Sequence, residues 1–562
     1  MEIEQEICHS SSSFMRPFKT KNIYMKTHFK NLFGRQWSFI YAGVLVGIAQ
    51  ILYMIGLWIG AVVQGKTPKL EPITVTTDLG RMFRGMEVFI NNVFGFHTEL
   101  YGKYETMVVD GVEKLVPATG GAFIPGIGWP IVGMVIGGFI VSLMEKESRH
   151  WAHYSGKALL VAFIGGALFS YGTRLAGGCT LNHLMGGVPM MNIHSLVTII
   201  FMAIGGTLAF GIMSKLDLAK YFKHQETRAY VEKAHKGEQI TYKKGYNAFK
   251  NPIYWFGMIF SIVFVVVAIV GGVFNPESLQ HLKNGEMVAF SKSIDGRGWF
   301  YMGATLLAGI IGGIALAKSG FGTECCLIAV ETGGVMAKKD SVFSRMGVPK
   351  ITRTLMRSYV PFLGIATHWL VMLVFIVIAW IFFGINPGFE NDVKYSLTAG
   401  SFLGGLALGL GAVLMIGCEI RSYMRIGMGY LNTLVGFIGF AVGYLPFTLY
   451  YDAHKAFLAN TSLVGTNGKW SEAFKVYQLF SDNPIVHKLV LVLWFAFLAW
   501  VVYFFIKKAM KNTGLQPVHL VHYNTEDIQD YIDAEAAKNN GKVNGVDAPE
   551  DVPEEFFTKK AS

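Results

Sequence analysis

Apolar residues along this chain fall into long blocks separated by polar, basic or acidic stretches. A helix needs about 20 mostly apolar residues to cross a bilayer core. On that rule the blocks predict spans at 37–63, 119–144, 158–173, 194–213, 253–277, 298–317, 360–384, 399–416, 430–450 and 487–507. The segments 158–173 and 399–416 are short and glycine-rich, and each runs into a Gly-Cys motif. That pattern predicts broken or re-entrant helices, which expose backbone polar groups to a cavity. The expected fold class is an all-α polytopic membrane protein of about ten hydrophobic segments in two inverted repeats, broken at the Gly-Cys motifs.

Basic residues in the connections set orientation. With residues 1–36 placed in the cytoplasm, the connections 145–157, 214–252 and 318–359 also fall inside, and all three carry Lys and Arg. The connections 64–118, 278–297, 385–398 and 451–486 fall outside, with balanced or acidic charge. Ten crossings then put both termini in the cytoplasm. Residues 1–36 contain no run of signal-peptide length, and the block that follows is too long for a signal core. Cys8, in that lead-in, reads as an incidental thiol. The expected organisation is a lead-in at 1–36, a first transmembrane half at 37–252, a second half with an extra C-terminal span at 253–507, and a largely disordered acidic cytoplasmic tail at 508–562.

Composition agrees with a bilayer partner. Of 562 residues, 15 % are charged and 52 % hydrophobic, against about 25 % charged in a soluble domain. The net charge of +11 lies between apolar blocks and forms no single basic face, so nucleic acid is not an expected partner. Five cysteines in so long a chain make no disulfide framework.

Two stretches repeat. Cys179 in Arg174-Leu-Ala-Gly177-Gly178-Cys179 pairs with Cys418 in Gly417-Cys418-Glu419-Ile-Arg421. Leu196-Val197 and Gly205 pair with Leu434-Val435 and Gly443 at an offset one residue shorter, with Asn192 and Asn432 between. The segment before Cys179 is expected to run outward and that before Cys418 inward. Such inversion marks many secondary transporters, whose sites lie where the halves meet. Cys325 and Cys326 follow Gly322-Thr323-Glu324, a further expected break.

Charge accompanies each break: Arg174, Glu324, Glu419, Arg421 and Arg425. A charge at membrane depth costs a few kcal/mol, so it faces a cavity or a partner. Arginines and helix ends suit an anion. A carboxylate beside a thiol favours the neutral S–H, a weak, soft donor. Soft sulfur groups along a path suggest a sulfur- or selenium-containing anion. Cys179 and His183 would share a helix face, yet two ligands make no metal site; the Cys325-Cys326 pair would suit Cu(I). His183 could equally hold the break. A membrane sulfurtransferase forming a cysteine persulfide needs an activated thiol with a base or cation nearby, and Arg174 and His183 keep that reading open.

At these residues the sequence resembles the YeeE/YedE family of bacterial inner-membrane proteins, which take up thiosulfate. Arg174, Ala176, Gly177, Gly178, Cys179, Thr180 and His183 resemble its first motif. Gly417, Cys418, Arg421, Leu431, Asn432, Leu434, Val435 and Gly436 resemble its second. Gly-Phe-Gly322-Thr-Glu324-Cys325 resembles a third cysteine region. The resemblance implies uptake through a path in which Cys179, Cys418 and one of Cys325 or Cys326 contact thiosulfate in turn. It implies no enzymatic step and no cofactor, and leaves room for a soluble cytoplasmic sulfur carrier as partner. The chain departs from the pattern at Asn182, where glycine is expected, and at Glu419, where the family often has proline.

Overall fold

The computed structural model describes residues 37–65, 71–109, 112–118, 122–145, 156–216, 294–320, 358–385, 396–415, 417–463 and 475–523. It adds 280–283, 286–289, 542–543, 546–547 and single residues at 255, 259, 262, 263, 266, 528, 531, 532 and 534. Gly322, Glu324, Cys325, Cys326, nearly all of the 253–277 span and most of the acidic tail lie outside these residues.

The first repeat opens with α1 (Phe39–Val63), started by the Ser38 hydroxyl, which accepts the Tyr41 N–H at 3.2 Å. It continues through α2 (Val75–Phe94), a hairpin of β1 (Tyr104–Val109) and β2 (Val112–Pro117), α3 (Trp129–Glu145), α4 (Gly156–Ala176), a π-helical turn at Leu181–Gly187, and α5 (Ile193–Lys215). A second small hairpin, β3 (Gln280–Lys283) and β4 (Glu286–Ala289), precedes the second repeat. That repeat comprises α6 (Ile294–Ser319), α7 (Val360–Phe383), α8 (Ala399–Leu414), α9 (Glu419–Met428) and α10 (Leu431–Leu449). Then come α11 (Tyr451–Asn460), α12 (Pro484–Thr513) and α13 (Pro517–His522). Among the described residues eight helices are long and apolar enough to cross a membrane, with α8 and α9 taken as one broken span; α3 is a shorter apolar helix.

The packing is that of two related halves. α4 lies against α8 and α10, and α8 against α4 and α5. Likewise α3 packs on α6 and α7 on α1, while α1 and α6 pack on each other. The register agrees with the sequence repeat. A Cβ on Gly443 would overlap the Ala167 carbonyl, and one on Gly205 would overlap that of Leu406. These are the same contact made twice, with the partners exchanged. The Cα of helix-contact glycines lets backbones approach, which is how membrane helices gain dispersion energy without a hydrophobic drive between them. Gly172 faces Gly404 and Gly165 faces Gly411, so the equivalent helices α4 and α8 run antiparallel. Antiparallel equivalents make the repeats inverted.

Some boundaries differ from the apolar pattern. α4 runs over 156–176 and is a full-length helix, because Thr173 and Arg174 bury their polar ends inside the protein and let the helix extend beyond its apolar run. The expected 119–144 span is helical only from Trp129. The connection 64–118 holds α2, a helix too polar to register as a span because its charges pair within it: Arg81 with Asp78 at 3.1 Å and Arg84 with Glu87 at 2.6 Å. α12 continues to Thr513, and Ile528 and Ile532 are buried.

Candidate site at the two helix breaks

At both breaks a cysteine precedes a new helical segment. α4 ends at Ala176, and Gly177 takes a left-handed conformation (φ 79°) that admits glycine without strain. Two residues on, the Cys179 carbonyl accepts the His183 N–H at 2.9 Å and opens the π turn. After α8 the Cys418 carbonyl accepts the Ser422 N–H at 3.0 Å and opens α9. Each cysteine is therefore the last residue before a new helical segment, where N–H groups are left without intrahelical partners. Both thiols are free and buried.

The two breaks meet at Glu419. The Cys179 thiol of the first break, faced by the Leu181 and Asn182 backbone N–H groups, borders the Glu419 carboxyl of the second, next in sequence to Cys418. Glu419 is wholly buried. The Tyr423 hydroxyl, one turn along α9, donates to Glu419 Oε1, and Oε2 has no hydrogen-bond partner. Arg174 reaches the same cluster from α4. Its guanidinium lies 5.1 Å from the Phe123 ring and 5.6 Å from that of Tyr444, and donates to Thr77 Oγ1 at 3.4 Å. Asp78, from α2, is a further electrostatic neighbour of Glu419. The Tyr444 hydroxyl donates to the Thr76 carbonyl at 3.0 Å and fixes the start of α2 against α10.

A second buried polar group adjoins the π turn. His183 Nδ1 lies 3.0 Å from Ser195 Oγ, and its ring stands edge-on to His194 at 5.2 Å. Asn192 pairs with Lys475 in an isolated antiparallel bridge, and Lys475 is a charged neighbour of His194. Asn192, His194 and Lys475 are buried, and neither the Asn192 amide nor the His194 ring has a hydrogen-bond partner. Asn432 occupies the place in the second repeat that His194 has in the first, with Thr433 Oγ1 donating to its Oδ1 at 3.4 Å.

Of the residues singled out in the sequence, Arg174, Cys179 and Glu419 converge, with Cys418 adjoining. His183 and Asn192 belong to the second group. Arg421 and Arg425 are half-buried beside Gly417 at the other break, with Arg425 5.3 Å from the Tyr430 ring. Sequence reasoning missed Asp78, Tyr423, Tyr444, His194 and Lys475. Paired charges three residues apart in 78–87 were a readable sign of α2, and Tyr423 stands four residues after Glu419. Lys475 carries no such signal, since its place depends on a distant loop folding back. Outside the membrane-spanning helices, burial, with Glu87 nearby, pushes the Tyr101 phenol up to about 12. It stays a donor, to the Ala441 carbonyl at 2.9 Å.

The fold and the paired breaks define a polytopic helical membrane protein with inverted repeats. Residues 11–208 match the sequence model of a family described as sulphur transport. Over 113 residues the chain is 29 % identical to the "Probable transporter YedE" of Escherichia coli (strain K12), covering 20 % of this chain and 26 % of that protein. The chain thus spans about a quarter of the length of this curated relative. These matches bear out the resemblance to the YeeE/YedE family. The family match takes in the first cysteine break, and the structural repeat relates the second break to it.

Proposed function

We propose that the protein is a transporter that takes up thiosulfate or a related sulfur-containing anion into the cytoplasm. The observation that carries this reading is the meeting of the two inverted cysteine breaks, with Cys179 against Glu419 and Cys418 next in the chain. Arg174 supplies the positive charge that draws the anion in. The S–H groups and the helix starts at the π turn and α9 replace water around it, and several weak sites in series favour exit as well as entry. Cys325 or Cys326 would add a third thiol. The residues 37–252 and 253–507 act as the two halves, in a bacterial inner membrane with both termini cytoplasmic, and a soluble sulfur carrier would collect the anion inside.

The test is uptake of radiolabelled thiosulfate into proteoliposomes by the wild type, Cys179→Ala and Cys418→Ala at equal protein content. Both substitutions are expected to reduce uptake at least about tenfold, the loss of ~1.4 kcal/mol of favourable contact. Wild-type protein that moves no thiosulfate would sink the assignment, and uptake unchanged in both variants would remove the thiols from the path.

A further inference from the structure

Glu419 is a carboxyl group in a place where the proposed substrate brings more negative charge. The groups that face it come from every element around it. Tyr423 lies on its own helix, Cys179 at the other break, Arg174 on α4, Asp78 on α2, and Tyr444 on α10. Asp78 is already paired with Arg81 at 3.1 Å. When Glu419 is ionised, Arg174 is the opposite charge that faces it, and the two balance. A dianion drawn to Arg174 upsets that balance. It must share a buried region with that carboxylate, and like charges in such a setting do not both persist. One proton on Glu419 restores most of the balance.

The carboxyl is arranged to accept that proton. Tyr423 holds Oε1 by donating to it, which fixes the group in either protonation state. Oε2 is buried with no hydrogen-bond partner and is open to a proton. Anion occupancy and protonation of Glu419 then favour each other, because each reduces the cost of the other. The same carboxyl touches Cys179 of one repeat and stems from the other, so a change of access at the breaks moves anion and proton together. Building on the anion reading above, we infer that Glu419 couples passage of the sulfur anion to symport of one proton. The proton comes from the outer solution, bonds to Glu419 Oε2, and leaves to the inner solution with the anion. No bond to the anion is made or broken.

The test uses full-length protein in proteoliposomes, an inward thiosulfate gradient, labelled thiosulfate and a pH-sensitive dye in the lumen. Wild-type protein is expected to acidify the lumen as thiosulfate enters. Its uptake should rise several-fold when the outer pH is lowered by about two units, since protonated Glu419 becomes commoner as pH falls. Thiosulfate itself stays a dianion over that range. In Glu419→Gln, which is neutral at every pH, the ratio of protons to thiosulfate should fall to near zero whatever rate remains. If that variant does not assemble, Glu419→Asp keeps the carboxyl and should keep the pH dependence. Wild-type protein in dilute buffer should also take up protons when thiosulfate is added. Thiosulfate entry without proton movement or pH dependence overturns the coupling and leaves the transport reading standing, as does unchanged proton movement in Glu419→Gln. No thiosulfate entry by the wild type overturns both.

Discussion

Arg174 is the residue on which the charge balance of the breaks turns. It is 5 % exposed, stands against two aromatic rings, and faces a wholly buried carboxyl. Removing one partner of a buried charge set leaves the other uncompensated, which costs more than the net worth of the set. Arg174→Gln should therefore destabilise the fold by about 1 to 3 kcal/mol, and adding Glu419→Gln should recover part of that loss instead of adding to it. Denaturant unfolding of the two single variants and the double variant in detergent measures the coupling. Strictly additive losses would show that the two charges do not interact. Arg174 and Glu419 were legible in the sequence because charge inside an apolar block is rare and stands out. Asp78 was not, because it lies in a stretch whose charges made it look like an external connection.

At the scale of elements, the cysteine motifs and the glycines belong to one design. The Gly-Cys sequence lies between one helix and the next, and helix-contact glycines bring the flanking helices close together. Gly205 and Gly443 make equivalent contacts, with the Leu406 and Ala167 carbonyls. A leucine at either position must push two backbones apart, an overpacking cost of about 1 to 3 kcal/mol. Gly205→Leu and Gly443→Leu should lower the thermal midpoint by similar amounts, while Gly211→Leu, where a Cβ meets open space, should have little effect. A drop for one of the two contacts alone would show that the repeats do not bear load equally. The Leu-Val and Gly matches made the register of this repeat legible in the sequence. The helix α2 and the full length of α4 were hidden, because α2 pairs its charges within itself and α4 carries polar groups that are buried only in the folded protein.

At the scale of the whole molecule, the inverted halves are equivalent, but what surrounds them is not. After the second repeat the chain returns to the first break. Val476 donates its N–H to the Met191 carbonyl at 2.9 Å, Trp494 Nε1 donates to the Val188 carbonyl at 2.9 Å, and Lys475 is set against Asn192 and beside His194. On the path proposed above, the buried Lys475 ammonium near the His194 imidazole would let an anion shed water before it reaches Cys179. The basic connections predict an orientation that puts this place at the outer mouth. The asymmetry then has a direction. Lys475→Met should raise the KM for thiosulfate entering from the outer side about tenfold (~1.4 kcal/mol), with Lys475→Arg recovering much of the loss. In inside-out vesicles, where thiosulfate enters from the opposite face, the KM should change less than about twofold. An equal rise from both faces would place Lys475 at the shared centre with Arg174, and no rise from either would reduce it to a strut that pins the C-terminal chain to the π turn.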